Sequence, residues 1–351
     1  MTLLSRRRLL ATLSLATAGF PLLGFSAVPV PEKGHKALLP PKLKAGDTVG
    51  LICPAGAAFS KETVLVTKES LEALGLKVKL GNHVFDRHGY LAGTDQARAE
   101  DVNAMFADKS VQGILAIHGG WGCARLLPLL DYKMIQKNPK ALIGYSDITA
   151  LLVAIYAKTG LVTFHGPVGA ATWNQFTVDS FKQVLFEGGA TTFQNPVERG
   201  DNLTVTNDRI TTLTPGTARG RLVGGNLTVL TAIIGSAYLP DWKDKILFLE
   251  DTNENVYRVD RMLTQLKLAG VLDQVKGVVF GKCSDCGPGN GGYGSLTLEE
   301  VLEQHLQPLH VPAFSGAMIG HITHKFTVPV GAEAEIDATA GTIRLLQGAV
   351  V

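Results

Sequence analysis

Residues Lys140–Tyr156 read KALIGYSDITALLVAIY: an apolar run, a small polar knot and a second apolar run. Ala141 to Ile143 has the pattern of a short buried strand, and Ile148 to Tyr156 that of the apolar face of a helix. Between them stand Gly144, Tyr145, Ser146 and Asp147. A serine at such a junction has two readings. Ser and Asp are common N-caps, because their side-chain oxygens accept the unpaired N–H groups of a first helical turn. The other reading is a nucleophile elbow, a tight turn that holds the hydroxyl clear of the sheet above the positive end of a helix. The elbow pattern G-x-S-x-G ends here in Ile148, so the motif alone does not choose.

The strand–helix rhythm extends on both sides of this knot. Thr48 to Ile52 reads as a strand, followed by a helix from the N-cap Ser60 to Leu74, with Gly75 placed to end it. Leu76, Val78 and Leu80 alternate as a half-exposed strand, and Thr94-Asp95 opens a helix carrying Val102, Met105 and Phe106 on one face. Val111 to Ile117 is the next strand, ending in His118-Gly119-Gly120-Trp121-Gly122; Leu126 to Leu130 and Leu161 to Phe164 continue the pattern. This is an α/β domain with a mostly parallel sheet, over residues 45–186, and sites in such sheets lie beyond the carboxyl ends of the strands. Residues 187–219 turn polar and suit a crossing between domains. A second β/α domain occupies 220–351, with a buried strand ending at Glu250, a helix showing Val259, Met262, Leu263 and Leu266 inward, and a capping box at Thr297 and Glu300.

With 46% hydrophobic and 18% charged residues, the 351-residue chain has the composition of a globular protein long enough for two cores. A formal charge of +2 and the lack of a basic stripe with interleaved aromatics argue against a nucleic-acid partner. Arg6-Arg7-Arg8-Leu9-Leu10 precedes an uncharged stretch to about Leu23 and then small residues. That order predicts a twin-arginine signal peptide over 1–26, with export to the periplasm by the twin-arginine machinery. A membrane span is disfavoured, since Gly19 and Pro21 interrupt a run already short for crossing. Removing 1–26 takes away three arginines and no acids, moving the charge from +2 to −1. Residues 27–44, rich in Pro and Lys, read as a linker. Of the four cysteines, Cys283 and Cys286 form a local disulfide or remain small buried residues like Cys53 and Cys123; no second ligand pair supports a metal, and nothing asks for a cofactor.

A serine hydroxyl needs a neighbouring base, usually a histidine that a carboxylate orients. Among nine histidines, His118, His165, His321 and His324 lie at strand ends or Gly-flanked turns. Gly119-Gly120 after a strand allows close approach of backbone N–H groups to a substrate, as an oxyanion hole requires. Glu250 ends an apolar strand, where a carboxylate must be paired or solvated.

Taken in order, GYLAGTDQARAEDVNAMFAD, HGGWGCARLLPLLDY, GYSDITALL, VTFHGP, GGNLTVL, LFLEDTNENVYRVDRML and IGHITHKFTVPVGAEAEID resemble the segments of the LD-carboxypeptidases. These serine peptidases include murein tetrapeptide carboxypeptidases and microcin C self-immunity peptidases. The resemblance runs from about Leu43 to Leu345. It implies a triad of Ser146 as nucleophile, His321 as base and Glu250 as its orienting acid, with the N–H groups of Gly120 and Asp147 as oxyanion hole. It implies a flavodoxin-like, class I glutamine amidotransferase-like first domain, a swivelling β/α second domain, a homodimer, and removal of the terminal D-alanine from murein tetrapeptides. One departure is local: where the family has Arg before the double glycine and Tyr after it, this chain has His118 and Trp121. Gly119, Trp121, Asn226, His118 and Trp173 are the candidate substrate-binding residues, Asn226 for the terminal carboxylate and Trp173 as a stacking platform. The alternatives are hydrolysis of other small amides, such as acyl-adenylate analogues, an α/β-hydrolase esterase and, from another class, an exported solute-binding protein.

Overall fold

The computed structural model describes residues 37–289 and 294–351. The signal reading of residues 1–26 and the linker reading of 27–36 lie outside them. Residues 37–44, read as the end of that linker, are tied down: Leu38 bridges Leu161 in parallel, and Lys42 N–H donates to the Val351 carbonyl.

Five strands of the first sheet come from the first half of the chain: β1 (Thr48–Ile52), β2 (Lys77–Leu80), β3 (Gly113–Ala116), β4 (Ala141–Gly144) and β5 (Thr163–His165). All five are parallel, in the order 2-1-3-4-5, so the winding reverses between β1 and β3. Helices between them begin where the sequence places them. Ser60 caps Lys61–Ala73 by accepting from Glu62 N–H, Thr94 caps Asp95–Ala107, and Gly75 stops the first at φ +83°. Leu126–Leu130 differs from the strand rhythm: Cys123–Leu129 is a 3-10 helix containing Pro128.

The second sheet holds β6 (Thr192–Gln194), β7 (Thr211–Thr214), β8 (Thr217–Asn226), β9 (Lys245–Thr252), β10 (Gly277–Ser284), β11 (Ala313–Ser315), β13 (Glu333–Asp337) and β14 (Thr342–Leu345). Strands β8 to β11 are parallel, and antiparallel strands flank them. β6 and β7 lie inside the stretch read as an interdomain crossing, where they form the two edges of this sheet. β12 (Val328–Val330) returns to the first sheet and pairs antiparallel with β5. The chain therefore passes between the sheets more than once, which ties them together.

The helix Thr149–Thr159 explains its own sequence. Its residues from Thr149 to Ala157 are all buried, so it has no solvent face. A helix that is apolar all round belongs in an interior, and here the interior lies between the two sheets. Asn226 at the end of β8 donates its backbone N–H to Thr149 Oγ1 at 3.0 Å. Gly225 permits that approach: a Cβ there would stand 2.6 Å from Thr149 Oγ1, at φ +142°. Gly225→Ala is expected to cost on the order of 1–3 kcal/mol through overpacking and a strained backbone. Chemical denaturation measures it; a variant as stable as the parent would remove this seam from the account.

Candidate active site

Ser146 stands two residues after the end of β4, in a 3-10 turn over Ser146–Ile148, with φ +63°. A non-glycine residue in the left-handed region costs of order 1–3 kcal/mol and persists only where the surroundings dictate it. The capping reading fails here. Neither Ser146 nor Asp147 caps the following helix with its side chain, and the Asp147 carboxylate instead accepts the Cys123 backbone N–H at 2.8 Å. Burial of Asp147 raises its pKa, while the bonds to Cys123 oppose that rise.

Gly119 is the wall opposite the serine. A Cβ on it would lie 2.8 Å from Ser146 Cβ, 3.0 Å from Oγ and 3.5 Å from the Asp147 nitrogen. Gly120 follows at φ +123°, packed on the backbone of Gly56, whose N–H donates to the Gly119 carbonyl. The carbonyl also meets His118 Nδ1 at 2.8 Å. The Asp147 N–H sits in a first helical turn, where helix geometry leaves donors unpaired.

The loops after β1 and β3 are held by Arg98, which the sequence presents as an ordinary charge in the helix Asp95–Ala107. It is fully buried, and its guanidinium donates to the carbonyls of Pro54 (2.5 Å) and Gly122 (3.1 Å) and to Asp95 (2.5 Å). Its spacing of three from Asp95 was the one available sign. Beside these loops lies a 310 Å³ cavity walled by Phe59, Tyr90, Trp121 and His118. Trp121 is exposed there and meets Tyr90 edge-on, with centroids 5.9 Å apart.

The second sheet carries Glu250, and the loop between β11 and β12 carries His321. Glu250, on β9 beside Asn226, is completely buried, and its Oε2 lies 2.8 Å from His321 Nδ1. Gly320 makes room, since a Cβ at that position would come 3.0 Å from Glu250 Oε2. Ser284 Oγ donates to the His321 carbonyl at 2.8 Å, from the loop closed by the Cys283–Cys286 disulfide. His321 meets the serine turn through Tyr145, edge-on at 4.8 Å between centroids. The structure thus brings Glu250 and His321 into contact and sets them against the residue preceding Ser146. Among the described residues the Ser146 hydroxyl makes no hydrogen bond to His321.

Other sequence candidates have different surroundings. Asn226 is buried; its amide donates to Asp251 Oδ1 and its carbonyl caps the helix Leu227–Ala232 through Val229 N–H. Both ends of the side chain therefore take part in holding β8, β9 and the helix Leu227–Ala232 together. Trp173 is packed: Nε1 donates to the Gly169 carbonyl, and the ring meets Phe181 at 5.2 Å. His324 packs edge-on against Phe176, 6.0 Å away. His165 is buried between Tyr145 and Phe248, and burial pushes its imidazole down to about 4, so it is neutral at pH 7.

Comparison with known proteins places the chain in a family. Residues 49–166 match the model of the LD-carboxypeptidase N-terminal domain, and residues 219–336 that of the C-terminal domain. The chain belongs to the LD-carboxypeptidases, a family of peptidases. It is 40% identical to the probable murein peptide carboxypeptidase of Bacillus subtilis, over 86% of this chain and 92% of that one. It is 33% identical to the microcin C7 self-immunity protein of Escherichia coli, over 87% and 94%. The solved structure of the self-immunity protein with aspartyl sulfamoyl adenosine superimposes with a TM-score of 0.81 at 30% identity, over 90% of this chain and all of that one.

Gly119→Ala is expected to lower turnover at least about a hundredfold, because a misplaced reacting group of about 1 Å costs that much. Steady-state hydrolysis by a variant with unchanged melting temperature measures it. Full activity would show that this wall does not bound the reacting space.

Proposed function

We propose that the protein is a serine LD-carboxypeptidase that removes the terminal D-alanine from murein tetrapeptides. The observation carrying this reading is the buried Glu250 bonded to His321 Nδ1, with His321 packed on Tyr145 next to a left-handed Ser146. In this mechanism Glu250 fixes the tautomer that leaves His321 Nε2 free to accept a proton and later stabilises the imidazolium. His321 takes the proton of Ser146 as Oγ attacks the scissile carbonyl, then gives it to the departing D-alanine amine. The N–H groups of Gly120 and Asp147 receive the oxyanion at the N-terminal end of the buried helix. The Ser146–His321 bond is one that substrate would complete, since catalytic hydrogen bonds often tighten only with substrate present.

The flavodoxin-like reading of the first sheet is supported by its 2-1-3-4-5 order. A swivelling second domain, a homodimer and an exported, periplasmic enzyme complete the proposal, supported by family membership and by the charged and then apolar run of residues 1–26. The likeness to the self-immunity protein favours a second reading, hydrolysis of small acyl-adenylate-like amides by the same three residues.

Ser146→Ala and His321→Ala are each expected to lower kcat by several orders of magnitude, and the double variant no further than either. Glu250→Gln should lose about 10²–10⁴ in rate with KM little changed. Single-turnover and steady-state rates decide this; additive losses would exclude a shared catalytic unit.

The substrate is tested with a murein tetrapeptide and a pentapeptide ending in D-Ala-D-Ala at equal concentration, with released alanine measured by mass spectrometry. The tetrapeptide should become a tripeptide and the pentapeptide be cut poorly. Preference for the pentapeptide would end the LD assignment, and inertness toward both would favour the small-amide reading.

A further inference from the structure

A carboxypeptidase must recognise a free terminal carboxylate beside its nucleophile, a task that suits a cation. The loop after His321 carries a buried cation whose nearby counter-charge, Glu250, lies beyond ion-pair distance. Lys325 is 4% exposed, and its Nζ lies 4.6 Å from the centroid of the Tyr145 ring, the residue before Ser146. Among the described residues this ammonium has neither a carboxylate within ion-pair distance nor a hydrogen-bond acceptor. The Tyr145 hydroxyl is likewise without a partner. A buried charge without a direct hydrogen-bond partner is costly, and next to the nucleophile's turn it is placed to take a ligand of opposite sign. The backbone fixes its place: Lys325 N–H donates to Thr177 Oγ1, and β12 begins three residues later.

We propose that the Lys325 ammonium, seated on the Tyr145 ring, receives the terminal carboxylate of the substrate and so makes the enzyme an exopeptidase. This assignment rests on the carboxypeptidase reading above. The groups facing Lys325 are Tyr145 from the turn after β4, His165 from β5 and Glu250 from β9. Burial pushes Lys325 down to about 8, against the attraction of Glu250, and burial holds Tyr145 up at about 12. Below about pH 8 Lys325 is therefore a cation, Tyr145 a neutral donor and His165 neutral. As pH rises through that value the cation is lost, and the carboxylate loses its partner.

The test uses the full chain and one tetrapeptide in two forms, with a free terminal carboxylate and with a terminal amide. Wild type is expected to prefer the acid on the order of 10- to 100-fold in kcat/KM, the worth of a hydrogen bond to a charged group. Its KM for the acid should rise above pH 8 while that for the amide stays level. Lys325→Met should raise KM for the acid by the same factor, leave kcat and the amide nearly unchanged, and abolish the pH effect. Lys325→Arg should keep the preference and carry it past pH 8, because guanidinium remains charged. If Lys325→Met keeps the acid preference, or lowers kcat equally on both peptides, Lys325 does not bind the carboxylate. The comparison of acid and amide on wild type tests the proposal even if the variants fail to fold, since a wild type without preference for the acid overturns it. A wild type that releases no D-alanine overturns the carboxypeptidase reading first, a result distinct from active enzyme without acid preference.

Discussion

The backbone N–H of Asn226 donates to the hydroxyl of Thr149, and the architecture of the site depends on that contact. It joins the end of β8 in the second sheet to the first residue of the helix that follows Ser146. β9 runs in parallel beside β8 with Glu250 opposite Asn226, so fixing Asn226 fixes the acid. From Glu250 the chain of contacts continues to His321, to Tyr145 and back to the serine turn. A helix buried by both sheets makes this closure rigid, because close-packed interiors transmit small displacements instead of absorbing them.

Neighbouring carboxylates on β9 show how one strand serves two purposes. Successive side chains point to opposite faces of a strand. Glu250 goes to His321, whereas Asp251 accepts from Asn226 Nδ2, Thr228 N–H and Oγ1, and Thr252 N–H. Burial and the adjacent Glu250 push Asp251 up to about 6, and its hydrogen bonds hold it down. The first acid meets the proposed chemistry; the second holds the cap of Leu227–Ala232 that keeps β8 in register with the helix.

The first sheet contributes shape more than charge. Reversal of winding between β1 and β3 opens a crevice beyond their carboxyl ends, and the Gly56, Gly119 and Ser146 loops converge there. Arg98 ties two of those loops from beneath, with three donors committed to Pro54, Gly122 and Asp95. A buried arginine so placed makes the crevice a fixed feature of the fold.

Local chemistry was legible in the sequence. Capping residues and a stop glycine set the helix ends at Ser60, Gly75, Thr94 and Thr297, because caps act within one turn of chain. The strand–serine–helix junction was equally plain, as were the segments carrying the family resemblance. Interactions across more than a hundred residues were not. The sequence could not say that β6, β7 and β12 would leave their neighbours in the chain to pair elsewhere, since short strands take their partners from the sheet edge that reaches them. It read Ser146 and Asp147 equally well as caps; only Gly119, pressing against the serine, and Cys123, claiming the aspartate, settle their orientation. Nothing in the sequence marks Arg98 and Lys325 as buried, because burial of a charge is decided by what packs over it, and that comes from other elements of the fold.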